Sequence, residues 1–586
     1  CTMSVYFIAF RFMVEVETQR LETVCIIGDH DTLGNWNPDR LLSLDLKMKN
    51  VWCVDIDLPA NQEINYRYCI TGLLESADRD EKEAIIKQWE TNINPRKSFI
   101  TGLGNLYLLF FNVGRVWTSY GYHNTTSGWL STQTYVQLRL QGNPIHIHKA
   151  RHQHQTLHVK CVPQDYRPKN VLTSSVLRED GCKPHEQNQF GEAYQPDDFM
   201  VFTTNTLHPE TLGFQLEFYI QDTSNGYMEP QYIGYTHILP LNTKHTLEEK
   251  HLPLMSLKHK PIGKIAIHFM IAKPVKNIKF NMESCFQSHW KFLGVSLDVG
   301  HRGMGSSYKK LALVRENTVA SLSAAAQNGA DLVEFDVMLT KDLHTVVYHD
   351  FEVCLTYSKV VKDLTLEQLQ SMKVNNSFII NPFPTLQQCF HGVDESLGFN
   401  IEIKFPLQDE TGVWEMEGFM DHNTYVDILL QAVFKDCGSR RIIFSSFDPE
   451  CCILLQRKQN KYPVLFLSNG PTKRYTPYLD ARTRGYDVAM YFATFIFLLY
   501  LQGVDLQSEC LLSDLGVIKR VRDKGLVLFV WGEDNNDRET IIRFFMLLGS
   551  DQVNLIKTQI LFRFVFIVQN FVLLVFTTLG SGRDVM

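Results

Sequence analysis

Hydrophobic and polar positions change rhythm once along the 586-residue chain. Up to about residue 278 the apolar residues come in short runs that alternate or are β-branched. They read VCIIG (24–28), VWCVDIDL (51–58) and INYRYCI (64–70), then TYVQLRL, TLHVKCV, FQLEFYIQD and KIAIHFMIA. Side chains alternate between the two faces of a strand, so such runs, separated by Gly, Asn, Asp and Pro, predict short antiparallel strands. The spacing predicts a small antiparallel β-sandwich over 13–113 and a β-rich middle domain over 125–278, with a long polar loop around 163–200. From 295 apolar strands alternate with helical segments. VSLDV, ENTVASLSAAAQNG, DLVEFDVML and VVYHD lead to a helix near 365–373, then GFNIEIK, a helix near 423–436, RIIFSSF, a helix near 449–458 and YPVLFL. DVAMYF, LGVIKRVRDKG, LVLFVW and a helix near 537–548 follow. Repeated strand–helix units predict a parallel (β/α)8 TIM-type barrel over 296–560, with an atypical apolar tail over 561–586.

Composition narrows the class. Apolar content of 45% and charged content of 21% describe globular protein, and the length calls for more than one core. A net charge of −7 argues against a nucleic-acid binder held by bulk electrostatics. The 13 cysteines are scattered, with no C-x-x-C pair, as expected of reduced thiols in a cytoplasmic protein. Residues 1–14 are apolar but lack the basic start and small-residue cleavage site of a signal peptide. The stretch 560–579 approaches a membrane-spanning length, but Arg563, Gln569 and Asn570 interrupt it, so stable membrane insertion is not expected. The histidine-rich run 146–158 has no acids and carries Lys149, Arg151 and Lys160, which fits a solvated strand better than a metal site.

Chemistry gathers in the barrel. Glu334 and Asp336 are two apart in LVEFDV, so both point to one face of a strand. Paired carboxylates inside a barrel repel each other and call for a hard divalent cation, Mg2+ or Ca2+. Glu402 and Lys404 share one face of a later strand, and His301, Arg302, His349 and Trp531 stand at or near other strand ends. Barrel enzymes place their reactive groups at the carboxyl ends of the strands. The set fits metal-assisted phosphodiester hydrolysis. Arg302 and Lys404 would offset charge on the phosphoryl oxygens. One histidine would take a proton from the nucleophile and the other would give one to the leaving alkoxide.

The runs HRG (301–303), ENT (316–318), GADLVEFDV (329–337), TKD (340–342), VVYHD (346–350), DLTLEQL (363–369), PTL (384–386), NIEIK (400–404) and SSFDP (445–449) resemble, in order, the glycerophosphodiester phosphodiesterases. The resemblance covers about 296–548. It implies a divalent metal, Mg2+ first with Ca2+ or Mn2+ as alternatives, held by Glu334, Asp336 and Glu402. It makes His301 and His349 the acid–base pair, sets Arg302 and Lys404 near the phosphate, and walls the substrate pocket with Trp531. One stretch departs: 548–557 reads LGSDQVNLIK, with Lys557 where the family's closing strand ends in an acid, which leaves closure of the ring open.

GDHDTLGNWN (28–37) and QWETNINPR (88–96) resemble the starch-binding modules. That likeness implies a starch- or glycogen-like glycan stacked on Trp36 and Trp89, whose indoles offer broad rigid faces. A glycan module ahead of this barrel is similar to the animal cytosolic glycerophosphocholine phosphodiesterases. It implies glycerophosphocholine as substrate, sn-glycerol 3-phosphate and choline as products, and a C2-like or spacer middle domain. Two alternatives stand beside it. One is a non-catalytic, glycan-tethered interaction protein with a degenerate barrel. The other is a glycoside hydrolase, which would use two acids but give His301, Arg302, His349 and Lys404 no task.

Overall fold

A computed structural model of the chain describes residues 6–19, 22–75, 82–92, 94–100, 113–114, 126–148, 155–164, 173–177, 185–196, 198–221, 229–241, 244–289, 297–305, 314–354, 358–372, 382–495, 501–537, 539–540, 544, 553–557, 563–568 and 571–576. The first body is the expected sandwich. Strand Phe7–Glu15 pairs antiparallel with Val51–Pro59 in a four-stranded sheet, facing a six-stranded sheet that carries Glu22–Gly28, Glu63–Glu75 and Lys82–Trp89. Inward residues of both sheets, among them Phe12, Val14, Val24, Ile26, Trp52 and Tyr66, form its core.

The middle body is one eleven-stranded antiparallel sheet around a core that includes Val136, Leu138, Phe202, Phe214, Phe218 and Phe269. The stretch 163–200 is not a plain loop: Thr173–Leu177, His185–Glu186 and Glu192–Tyr194 are short strands added to the sheet. Main-chain pairing supplies their order where the side chains carry no alternation. Of the histidine-rich run, His152 and His154 lie outside the described residues, and among the described ones no group of metal-ligating side chains includes that run.

The third body is the barrel. Its parallel strands are β1 (Asp298–His301), β2 (Leu332–Leu339), β3 (Gly398–Ile403), β4 (Ile442–Ser446), β5 (Val464–Ser468), β6 (Gly503–Gln507), β7 (Val527–Trp531) and β8 (Val553–Lys557). β8 pairs with β7 on one side and with β1 on the other, and β1 pairs with β2, so the ring closes. Lys557 stands opposite Gly300 in that closure. Val299, Leu332, Ile443, Leu465 and Phe529 pack against one another as a cluster inside the ring. DVAMYF lies in helix Tyr486–Phe495, and the true sixth strand comes after it. The helix expected near 537–548 falls largely outside the described residues, as does part of the apolar stretch 560–579. Its described parts, Arg563–Val568 and Phe571–Phe576, pair antiparallel. Among the described residues no helix is long and apolar enough to cross a membrane, and ten cysteines are buried thiols.

The middle body is bonded to the barrel. Arg139 and Arg482 both hold the carboxylate of Glu450, and all three are buried. Thr246 donates to Asp421 through its amide (2.7 Å) and its hydroxyl (2.8 Å), and Arg457 lies 4.3 Å from the ring centre of Tyr135.

Candidate active site

β1 ends at His301, and the chain then turns through Arg302 (φ 50°) and Gly303 (φ 88°). Gly303 is required by closeness: a Cβ there would meet Ser321 Oγ at 2.4 Å. Ser321 lies in the first turn of helix Val319–Gln327, and its hydroxyl donates to Arg302 O (3.0 Å) and accepts from Met304 N (2.9 Å). A left-handed backbone at a non-glycine residue is strained, and here several contacts hold it. The amide of Arg302 donates to Glu334 (3.2 Å), and its guanidinium donates to Glu316 (2.7 Å) and lies 3.6 Å from Asp336. His301 Nε2 is 3.8 Å from Glu334.

Glu334 and Asp336 face the ring interior from β2, and Glu402 joins them from the adjacent β3, with Asp336 in register with Glu402. One ligand oxygen from each of the three lies within 4.8 Å of the others, and all three residues are buried. Asn317 donates to Asp336 Oδ2 (3.0 Å), whereas Asp336 Oδ1 is buried with no hydrogen-bond partner among the described residues. Lys404 lies 3.2 Å from Glu402 and 3.9 Å from Asp336. An all-oxygen set of clustered, buried carboxylates with one unsatisfied oxygen fits a hard divalent cation.

The electrostatics agree. Burial, then the charges of Asp336 and Glu402, push the Glu334 carboxyl well up. Burial also pushes Glu402 up, with Lys404 opposing it and Asp336 adding to it. For Asp336 burial acts upward, but His349, Arg302 and Lys404 together outweigh it and hold the carboxyl down. Burial lowers His301 to about 3, assisted by Arg302. His349 follows the short strand Thr345–Val347, which runs antiparallel to β2. Its Nδ1 is 2.6 Å from Asp350, and its charge reaches Asp336, Glu402 and His301, so both imidazoles share the carboxylate cluster.

Trp531 ends β7. Phe447 meets it edge-on at 5.6 Å, Tyr475 lies 5.4 Å away, and Tyr478 continues the wall 5.9 Å from Phe447. Tyr478 donates to Glu415 (3.0 Å) and feels the charges of Lys404 and Glu402. The barrel residues singled out in the sequence therefore converge. Glu316, Asn317 and the aromatic partners of Trp531 were not assigned there, although ENT and SSFDP contain three of them. Asp505 on β6 was also missed. It is fully buried, neither carboxylate oxygen has a hydrogen-bond partner among the described residues, and burial followed by the charge of Glu402 pushes it well up.

A second compact set, His422, Asp448 and Cys451, is already satisfied: Asp448 accepts from His422 (2.9 Å) and caps helix Pro449–Lys458. Trp36 and Trp89 do not form the expected open platform. They are 6% and 1% exposed, packed with Trp129, Met282 and Cys285, because residues around 280–286 lie over them.

The glycerophosphoryl diester phosphodiesterase family is matched over residues 301–554, a starch binding domain over 7–101 and a GDE1-like C2 domain over 127–276. A glycerophosphocholine phosphodiesterase of Rattus norvegicus is 34% identical, covering 88% of this chain and 86% of its own length. The Homo sapiens counterpart is also 34% identical, with the same coverage of 88% and 86%. Among solved structures, a glycerophosphodiester phosphodiesterase of Thermotoga maritima is similar at 24% identity and a TM-score of 0.32, over 45% of this chain and 95% of its own.

Proposed function

This chain belongs to the glycerophosphoryl diester phosphodiesterase family, and on that premise we propose that it hydrolyses glycerophosphocholine to sn-glycerol 3-phosphate and choline in the cytoplasm. The observation that carries the reading is the meeting of Glu334, Asp336 and Glu402 within 4.8 Å beside Lys404 and Arg302. The carboxylates would hold the divalent metal, Mg2+ in this reading. When bound, it supplies Lewis acidity to a phosphoryl oxygen. Lys404 and the outer edge of Arg302 bind the remaining phosphate oxygens and offset the charge that builds on them. Of His301 and His349, one takes the proton from the attacking oxygen and the other returns one to the departing alcohol. Asp350, bonded to Nδ1 of His349, fixes that ring so that its other nitrogen exchanges the proton. Trp531, Phe447, Tyr475 and Tyr478 exclude water beside the phosphate and offer ring faces to a quaternary ammonium.

The same proposal divides the chain at 13–113, 125–278 and 296–560, and has the N-terminal module take a starch- or glycogen-like glycan at Trp36 and Trp89. Choline release from glycerophosphocholine, followed with added Mg2+ and with a chelator, tests the enzymatic part. Turnover that depends on the ion is expected, and its absence with every glycerophosphodiester tried would sink the reading.

A further inference from the structure

The tryptophans of the N-terminal module are covered by this chain itself. Trp36 is presented by a turn in which Gly34, Asn35 and Trp36 all have left-handed backbone (φ 82°, 49° and 60°). Trp89 ends strand Lys82–Trp89. Trp129 meets Trp89 edge-on at 5.9 Å, and Met282 and Cys285 complete a closed cluster with both rings. Main-chain groups fasten this cover. Met282 N donates to Trp36 O (3.2 Å), and the thiol of Cys285 donates to Thr91 O (2.9 Å). The buried guanidinium of Arg67 donates to Glu283 O (2.7 Å) and to Asn92 O (2.6 Å).

The cover also touches the barrel. Phe280 meets Phe434 at 5.9 Å, Asn460 donates to Asn281 O (3.2 Å), and Leu130, next to Trp129, donates to Arg457 O (2.7 Å). The segment that seals the tryptophans is thus the segment that ties the module to the barrel.

We infer that the aromatic face of the N-terminal module is a docking surface for this chain's own residues 280–286 and Trp129, and that a glucan reaches Trp36 and Trp89 only by displacing them. The inference rests on the glycan part of the proposed function. Its physical basis is exclusion: indoles buried in a cluster with a methionine and a third tryptophan have almost no area left for a sugar. Two ligands that exclude each other lower each other's affinity, so glucan binding and docking of the module on the barrel oppose one another.

The test uses the full chain. Met282→Asp places a charge in the contact, and Phe280→Ala loosens it from the barrel side. Each is expected to bind maltoheptaose at least tenfold more tightly than the unaltered chain by titration calorimetry, with diesterase turnover retained as the control for folding. Adding Trp36→Ala to Met282→Asp is expected to abolish the gain. In the unaltered chain, saturating maltoheptaose is expected to speed amide exchange across 280–286. Equal affinity in all three proteins, or exchange at 280–286 unchanged with sugar bound, overturns the inference and leaves glycan binding standing. Absence of binding in every variant overturns the glycan reading itself, and the inference with it.

Discussion

Arg302 is committed on three sides: its amide to Glu334, its guanidinium to Glu316 and toward Asp336. A lysine has no fork with which to repeat this, so Arg302→Lys should lower kcat/KM for glycerophosphocholine at least tenfold with little change in thermal stability. Asn317 holds Asp336 by donating to its Oδ2. Partners of that kind alter metal affinity by about 10–100-fold when removed, so Asn317→Ala should raise the ion concentration needed for half-maximal turnover within that range. The ion should also be visible without catalysis. At a hundredfold excess over Kd a ligand of the folded state adds about 2.7 kcal/mol, so divalent salt should raise Tm, and Glu402→Gln should lose that rise. The carboxylates and Lys404 were legible in the sequence because two-residue spacing on a strand fixes a shared face. Asn317 was not, since it reaches the site from a turn before a helix cap, where no periodicity points to it.

At the scale of elements, the sixth strand was hidden by its neighbour. Tyr486, Ala489, Met490 and Ala493 are buried at helical spacing, so the apolar run there belongs to a helix, and GVDLQ after it, with Asp505 at its centre, does not alternate as a half-buried strand would. One of the bonds between middle body and barrel runs through Glu450. Burial alone would raise its carboxyl, but Arg139 and Arg482 outweigh that and hold it below the usual range. An unfolded glutamate titrates near about 4.3. The stabilisation is therefore complete above that pH and is lost as pH falls toward the lower folded value. Removing one member of a buried charge group costs about 3–5 kcal/mol. Glu450→Gln should show a loss of that order in urea unfolding at neutral pH, with a gap to the parent that narrows below pH about 4.

At the scale of the whole molecule, β8 joins β7 to β1, so the two ends of the catalytic body, more than two hundred residues apart in sequence, lie side by side. The departure at 548–557 alters a side chain and not the pairing, since main-chain hydrogen bonds do not depend on whether Lys557 or an acid occupies the place. Ending the chain at residue 552 should accordingly abolish turnover and broaden the thermal transition of the barrel. The same adjacency sets a timetable for biosynthesis. The ribosome delivers the sandwich and the middle body long before residues 553–557 emerge, and domains condense in that order. Until residues 553–557 arrive, His301 at the end of β1 sits on an unclosed edge, so a nascent chain acquires its hydrolytic competence only once β8 has been made.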